Sequence, residues 1–367
     1  MRDLDRRSLL KLGTAAPFVL AAPRLSWASS NLIQDPGEWR TFQVSTRVEL
    51  AEPKDANQAW VPVPAVNEAQ WFKSLGTKWT TNGNATHRRD PENGAEYVHV
   101  EWKTVDTAPF IEVTSEVAMR DRAIDLRKPG GAAPLSDAER IYYTRATELI
   151  PVDGIVKQTA DKITAGAGSE LAKARAIYDW VVENTFRDPK TRGCGFGDVA
   201  GMLKSGNLSG KCADLNALYV GLARASGLPA RDVYGVRVAS SKFGYKSLGT
   251  GSGNITGAQH CRAETYIAGY GWVPTDPADV RKVILEEPPG NLPLNSAKVA
   301  DARETLFGAW EGNWLAFNFA HDVRLPGAQG GKLAFLMYPQ AECGPERLDC
   351  LDPKTFKYTI TSRETTV

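Results

Sequence analysis

Three residues in the second half of the chain have the types and order that acyl-transfer chemistry uses: Cys212, His260 and Asp276. Cys212 stands in Gly210-Lys211-Cys212-Ala213-Asp214-Leu215, at the start of a helical pattern. Leu215, Leu218, Tyr219 and Leu222 recur at the three-and-four spacing of one buried face, and Gly227 with Pro229 ends it. A thiol in the first helical turn sits among unpaired backbone N–H groups at the positive end of the helix dipole. That setting lowers a thiol pKa and makes the thiolate a nucleophile near neutral pH. The competing role is a small buried hydrophobe, since free cysteine is among the most buried residue types.

His260 opens the strand pattern His260-Cys261-Arg262-Ala263-Glu264-Thr265-Tyr266-Ile267. Alternation puts His260, Arg262, Glu264 and Tyr266 on one face and Cys261, Ala263, Thr265 and Ile267 on the other. Gly269-Tyr270-Gly271 turns the chain, and Trp272-Val273-Pro274 returns to Thr275-Asp276-Pro277. Pairing centred on residue 268 sets His260 opposite Asp276, with a bulge or register shift at most. In that arrangement Cys212 attacks an acyl carbon, His260 holds the thiol proton and passes it to the leaving amine, and Asp276 orients the imidazole. The Cys212 N–H serves as one oxyanion donor, with a second from an unassigned upstream residue. Asp214 reads as a first-turn carboxylate that suits the helix dipole. A Cys/His metal site competes for the same residues, but paired spacings such as C-x₂-C or H-x₃-H are absent. No metal and no cofactor are expected; no D-x-D-x-D-G calcium loop occurs.

The elements that must position these residues divide the chain. Residues 39–125 read as a β-sandwich domain: Phe42, Val44 and Val48 alternate with polar neighbours, as do Val98, Val100 and Trp102. Pro53-Lys54-Asp55, Asn82-Gly83 and Asn93-Gly94 separate the runs. His87 and His99 fall here and are given no metal role. Lys128-Pro129-Gly130-Gly131-Ala132-Ala133-Pro134 marks a boundary. Helices are expected over 136–149, after Pro151 and over 169–185, followed by the Cys212 helix. Strands then recur at 230–238, 261–273, 333–337 and 358–360, so residues 135–367 form an α+β domain of helices packed on an antiparallel sheet, with a C-terminal β extension.

Residues 1–28 have the form of a twin-arginine signal peptide. Arg6-Arg7-Ser8-Leu9-Leu10-Lys11 precedes a short apolar run, and Ser26-Trp27-Ala28 offers a cleavage site. The run is too short for a permanent span, so a periplasmic protein with no stable membrane span after cleavage is expected. The chain carries a formal net charge of +1. Five basic and two acidic residues lie in the leader, which leaves the mature chain near −2. That balance gives no electrostatic case for nucleic acid or an anionic membrane. The five cysteines fit two bridges plus a free Cys212, with Cys343 and Cys350 the nearest pair in a loop.

Gly210-Lys211-Cys212-Ala213-Asp214, Ala223-Arg224-Ala225-Ser226-Gly227-Leu228-Pro229-Ala230-Arg231, His260 and Gly271-Trp272-Val273-Pro274-Thr275-Asp276-Pro277 closely resemble the core of exported bacterial transglutaminase-like proteins. The resemblance covers about Ala174 to Asp279. Phe307-Gly308 through Asn318, Asp322 to Leu325 and Tyr338-Pro339 resemble the tail of the same group, and the N-terminal strands resemble its preceding β-domain. It implies a papain-like transglutaminase core with Cys212, His260 and Asp276 as nucleophile, base and orienter. Two positions depart from the pattern: Cys194 and Arg262 stand where relatives often carry tryptophan. Both are expected near the cleft, with Cys194 and Cys261 as a candidate disulfide beside it.

The function expected is a cysteine acyltransferase or hydrolase acting on amide bonds of a protein or peptide substrate, cell-wall peptides included. The thioester at Cys212 can be resolved by water or by an amine, and the triad is the same for both. The alternative is a non-catalytic periplasmic binding or assembly module that keeps the fold. A redox role is disfavoured by the absence of C-x-x-C.

Overall fold

The computed structural model describes residues 35–365 apart from positions 55, 104–106 and 252. The expected signal peptide therefore lies outside the described residues. The N-terminal half supplies six strands: β1 (Arg40–Glu49), β2 (Asn57–Val63), β3 (Phe72–Thr81), β4 (Asn84–Arg89), β5 (Glu96–Trp102) and β6 (Phe110–Met119). Burial alternates along β1 as a strand with one covered face requires. These strands build two antiparallel sheets, one containing β1, β6 and β3, the other β2, β5 and β4. Val48, Ile111 and Val113 of the first pack on Ala59, Val61, Val98 and Val100 of the second.

Helices follow: α1 (Asp137–Thr144), α2 (Gly154–Thr164), α3 (Glu170–Asn184), α4 (Val199–Ser205) and α5 (Cys212–Ala225). Ser136 and Glu139 cap α1 reciprocally, and the Ser169 hydroxyl accepts from the Ala172 N–H to start α3. α1 ends five residues before the expected Leu149, because Arg145 turns extended. Strand β7 (Ala230–Arg237), then β8 (Gln259–Ile267) and β9 (Gly271–Thr275), lead into α6 (Pro277–Glu286) and α7 (Ala297–Thr305). Strand β10 (Trp314–Asn318) completes a four-stranded antiparallel sheet in the order β9-β8-β7-β10.

Helix α5 is not a surface helix with one buried face. Every residue from Cys212 to Ala225 except Asp214 is buried, because α2, α3, α4 and α6 surround it and β8 lies beneath. Its length in apolar and small residues permits this; Gly221 lies where a β-carbon would press on Ile150 and Val199. The four-stranded sheet turns its other face to the N-terminal half, where Val233, Val236 and Leu315 share a core with Phe42, Val44, Val117 and Met119.

The chain end returns to the N-terminal sheets. Strand β11 (Gln340–Cys343) pairs with β2, and β12 (Lys357–Thr365) runs antiparallel along the whole of β1. The short strand Gly253–Asn254 adds to the far edge of β12. The C-terminal β extension thus builds the strand-rich half rather than the helical one. Among the described residues no helix is long and apolar enough to cross a membrane.

Candidate active site

Each expected site residue stands at the end of an element. Cys212 is the first residue of α5, with Lys211 extended before it as N-cap. Asp214 does more than complement the dipole. Its carboxylate accepts backbone N–H bonds from Lys211 at 3.0 Å, Phe196 at 2.9 Å and Gly197 at 3.0 Å, binding the Gly193–Asp198 loop to the helix start. Gly195, at φ +93°, lies so close that a β-carbon would fall 1.8 Å from Asp214 Oδ2, so only glycine fits. The Ala213 N–H donates to Cys194 O at 2.9 Å, which seats Cys194 beside the start of α5 and Cys212.

His260 is the second residue of β8, and its ring reaches Asp276 just beyond β9. The hairpin pairs Ala263 with Thr275 and Ile267 with Gly271, so it centres on residue 269, not 268. Gly269 and Gly271, at φ +85° and +80°, allow the three-residue turn that moves the register. Asp276 consequently comes level with Arg262, one same-face position along from His260. It still reaches back: His260 Nε2 donates to Asp276 Oδ2 at 2.7 Å. Asp276 is also the N-cap of α6, accepting from the Asp279 N–H at 3.0 Å, and Asn216 Nδ2 donates to its Oδ1 at 3.3 Å. One carboxylate thus starts a helix and holds the imidazole ring by its Nε2 edge. With Nε2 engaged by carboxylates, Nδ1 is left to exchange a proton with a thiol.

Around this pair lies a buried charge network. Asp279 Oδ2 is 3.4 Å from His260 Nε2, and Arg237 grips both Asp279 oxygens at 2.6 and 2.7 Å. Burial opposes ionisation of Asp279, but Arg237 and then His260 hold its pKa below the ordinary carboxylate range. Burial and Arg237 work against a charged His260, yet Asp279 and Asp276 together raise its pKa. Burial and the Asp279 charge raise that of Asp276 against the pull of His260. The Cys212 sulfur faces the thiols of Cys194 and Cys261 and the His260 imidazole. Those two thiols, with His260 adding to them against burial, hold Cys212 well below the ordinary thiol range. The site therefore favours a thiolate beside an imidazolium. His260, Asp276 and Asp279 place three possible ligand atoms within 4.8 Å. Arg237 already occupies both Asp279 oxygens and Arg262 stands 3.7 Å from Asp276, so the trio's charge is met by guanidinium groups.

The site opens into a cleft of about 650 Å³, lined by Cys194, Cys212, Gln259 and His260 among others. Its outer wall comes from the chain end, with Leu351, Pro353, Phe356 and Tyr358. Gln259 Nε2 is buried with no hydrogen-bond partner among the described residues.

All five cysteines are free thiols in the structure, which corrects both expected pairings. Cys194 and Cys261 each interact with Cys212. Cys343 is buried in the core between the two N-terminal sheets, while Cys350 lines the cleft. Arg262 does not line the cleft. Its guanidinium lies over Trp314 at 4.7 Å and Trp310 at 5.4 Å, behind Asp276. His99 stacks on Trp60 at 5.1 Å and His87 pairs with Glu96 at 2.9 Å, both within the N-terminal half.

Sequence reasoning missed Asn216, Arg237, Gln259 and Asp279. Asn216 is a polar residue one turn after Cys212 in an apolar run, and Arg237 is a charge within the apolar strand pattern at 230–238. Asp276-Pro277 followed by Asp279 is a helix-start signal, N-cap then proline then first-turn acid, which points to α6. Nothing in the sequence marks Gln259 beyond its place before His260.

The model of the transglutaminase-like superfamily matches residues 157–277, which hold all three site residues. An uncharacterized protein of Haemophilus influenzae is 36% identical over 372 residues, spanning 95% of this chain and 98% of its own. The crystal structure of a proposed cysteine protease from Cytophaga hutchinsonii shares the fold at 17% identity, covering 89% of this chain and 99% of that one with a TM-score of 0.51. The periplasmic domain of TgpA from Pseudomonas aeruginosa is a more distant likeness, at 14% identity, 71% and 93% coverage and a TM-score of 0.33. With its core matched by that model and its helices packed on an antiparallel sheet behind a strand-rich N-terminal region, the chain belongs to the transglutaminase-like superfamily.

Proposed function

We propose that the protein is a cysteine acyl-transfer enzyme acting on amide bonds, with Cys212, His260 and Asp276 as nucleophile, general acid–base and orienter. The observation that carries this reading is the His260–Asp276 hydrogen bond at 2.7 Å beside a helix-start thiol at the floor of a cleft. The Cys212 thiolate attacks the substrate carbonyl carbon, and the carbonyl π-electrons move onto oxygen. The Cys212 N–H and Gln259 Nε2 are assigned as the oxyanion donors, the second because its amide is unpartnered and its residue lines the cleft. The imidazolium of His260 protonates the leaving amine, the C–N bond breaks and a thioester remains. His260 then deprotonates a water or an amine, whose attack releases Cys212 and yields an acid or a new amide. Water needs no second binding site, so hydrolysis is the simpler outcome.

Export through the twin-arginine leader to the periplasm is part of the same proposal, and places peptides and cell-wall peptides within reach of the cleft. Profiling the mature protein beside Cys212→Ala tests the reading, using cell-wall peptides alone and glutamine peptides with an amine donor. Turnover by wild type that vanishes in the variant is expected. Equal behaviour of the two proteins would leave the binding-module alternative.

A further inference from the structure

The charged side chains that line the cleft around Cys212 are of one sign. Arg187, Lys211 and Lys282 line it with Arg237 and His260, and among the described residues no aspartate or glutamate does. Arg237 is satisfied by Asp279. His260 is met by Asp276, but Arg187, Lys211 and Lys282 are not matched one for one. Arg187 and Lys282 share a single carboxylate outside the lining, that of Glu286, with the ammonium 3.8 Å away. Lys211, immediately before the nucleophile, forms no ion pair among the described residues. The chain as a whole balances 44 basic against 43 acidic side chains, so this excess belongs to the cleft and not to the protein's net charge.

Resting on the acyl-transfer reading above, we propose that the acyl donor is an acidic peptide, with a carboxylate near the scissile amide held by Lys211, Lys282 and Arg187. A half-buried concave site with low-dielectric walls focuses the field of its cations and concentrates anions there. Lys282 is largely buried and has only Glu286, at 3.8 Å and already held by Arg187, as its ion-pair partner among the described residues. Burial and then Arg237 lower its pKa against Asp279 and Glu286, so an incoming carboxylate would add counter-charge there. The lining residues Leu351, Pro353, Phe356 and Tyr358 suit an apolar portion of the same peptide.

The test uses two alkylating reagents of similar size, iodoacetate and iodoacetamide, on the full mature chain, with labelling mapped to Cys212. The ratio of their rates is normalised to that of a free cysteine peptide. A preference for iodoacetate of roughly tenfold over the free peptide is expected, shrinking as salt is raised. Lys211→Gln with Lys282→Met should bring the ratio down several-fold, while Lys282→Arg should keep it. The His260 imidazolium is present in all these proteins, so only the lysine-dependent part counts. A ratio unchanged by the double substitution overturns the proposal. Failure of the acyl-transfer reading looks different: Cys212 then reacts with neutral iodoacetamide no faster than the free peptide, whatever the ratio. Lys211→Gln alone provides the same readout should the double variant not fold.

Discussion

His260 shares its Nε2 between two carboxylates, Asp276 at 2.7 Å and Asp279 at 3.4 Å, and they do different work. Asp276 orients the ring; Asp279 holds Arg237 and adds the negative charge that keeps the imidazolium favoured. Replacing Asp279 by Asn removes that charge and frees Arg237 to oppose protonation of His260. The His260 pKa should fall, the thiolate should lose its partner, and the Cys212 alkylation profile should move to higher pH. At pH 6 the rate is expected to drop about tenfold, which a merely structural residue would not produce selectively at low pH. The same change costs about 3–5 kcal/mol at pH 7, because Arg237 is left buried without its partner. The Asp279 pKa is depressed in the folded state, so its contribution is present above the unfolded carboxylate value and lost as pH falls through the folded one. The gap between wild type and Asp279→Asn in urea unfolding should therefore narrow below about pH 4. Gln259→Ala should lower kcat on a turned-over peptide by about 10²-fold while leaving the alkylation rate within a few-fold, since alkylation develops no oxyanion. That Cys212, His260 and Asp276 come together was legible, because motif order and strand parity survive small errors. Asp279 and Arg237 were not, because their roles depend on a helix start and a strand end meeting in space.

At the scale of elements, the place of the proposed nucleophile depends on how a glycine-rich loop is tied to a helix. Asp214 accepts three backbone N–H bonds from that loop and from its own N-cap residue, so Asp214→Ala should cost roughly 3 kcal/mol in chemical unfolding. It should also slow Cys212 alkylation, since Cys194 and the helix start lose their shared anchor. Gly195→Ala addresses the same joint from the other side: a left-handed φ and a β-carbon 1.8 Å from a carboxylate oxygen cannot coexist with the present loop. Both variants should lower the melting temperature and the alkylation rate together, whereas a substitution at Gly206, where a β-carbon meets nothing, should cost only its positive-φ strain. The sequence carried the β8–β9 hairpin to within one position of its centre. The even shift in pairing preserved which face His260 and Asp276 share. It did not show that α5 is enclosed on all sides, because a helix made of apolar and small residues reads the same whether one face or every face is covered.

For the whole molecule, the decisive contacts join residues hundreds of positions apart. Tyr358-Thr359-Ile360 reads as a strand, but nothing local says that its partner is β1, which it meets in register from Thr41–Thr365 to Glu49–Lys357. With the core that β1 and β6 share with the sheet that bears His260, that pairing leads us to expect the strand-rich and helical halves to unfold as one unit. Wild-type protein should unfold in a single calorimetric transition, with the van't Hoff and calorimetric enthalpies equal. A chain ending at Asp352 loses β12, bares the length of β1 as an unpaired edge and removes Phe356 and Tyr358 from the cleft wall. It should be markedly less soluble and lose the transition of both halves together, with near-UV circular dichroism and limited proteolysis as the measurements. Were the helical half instead to survive intact, resisting proteolysis over 135–352 with Cys212 still fast to alkylate, the two halves would be separable units. The chain end would then be only a wall of the cleft.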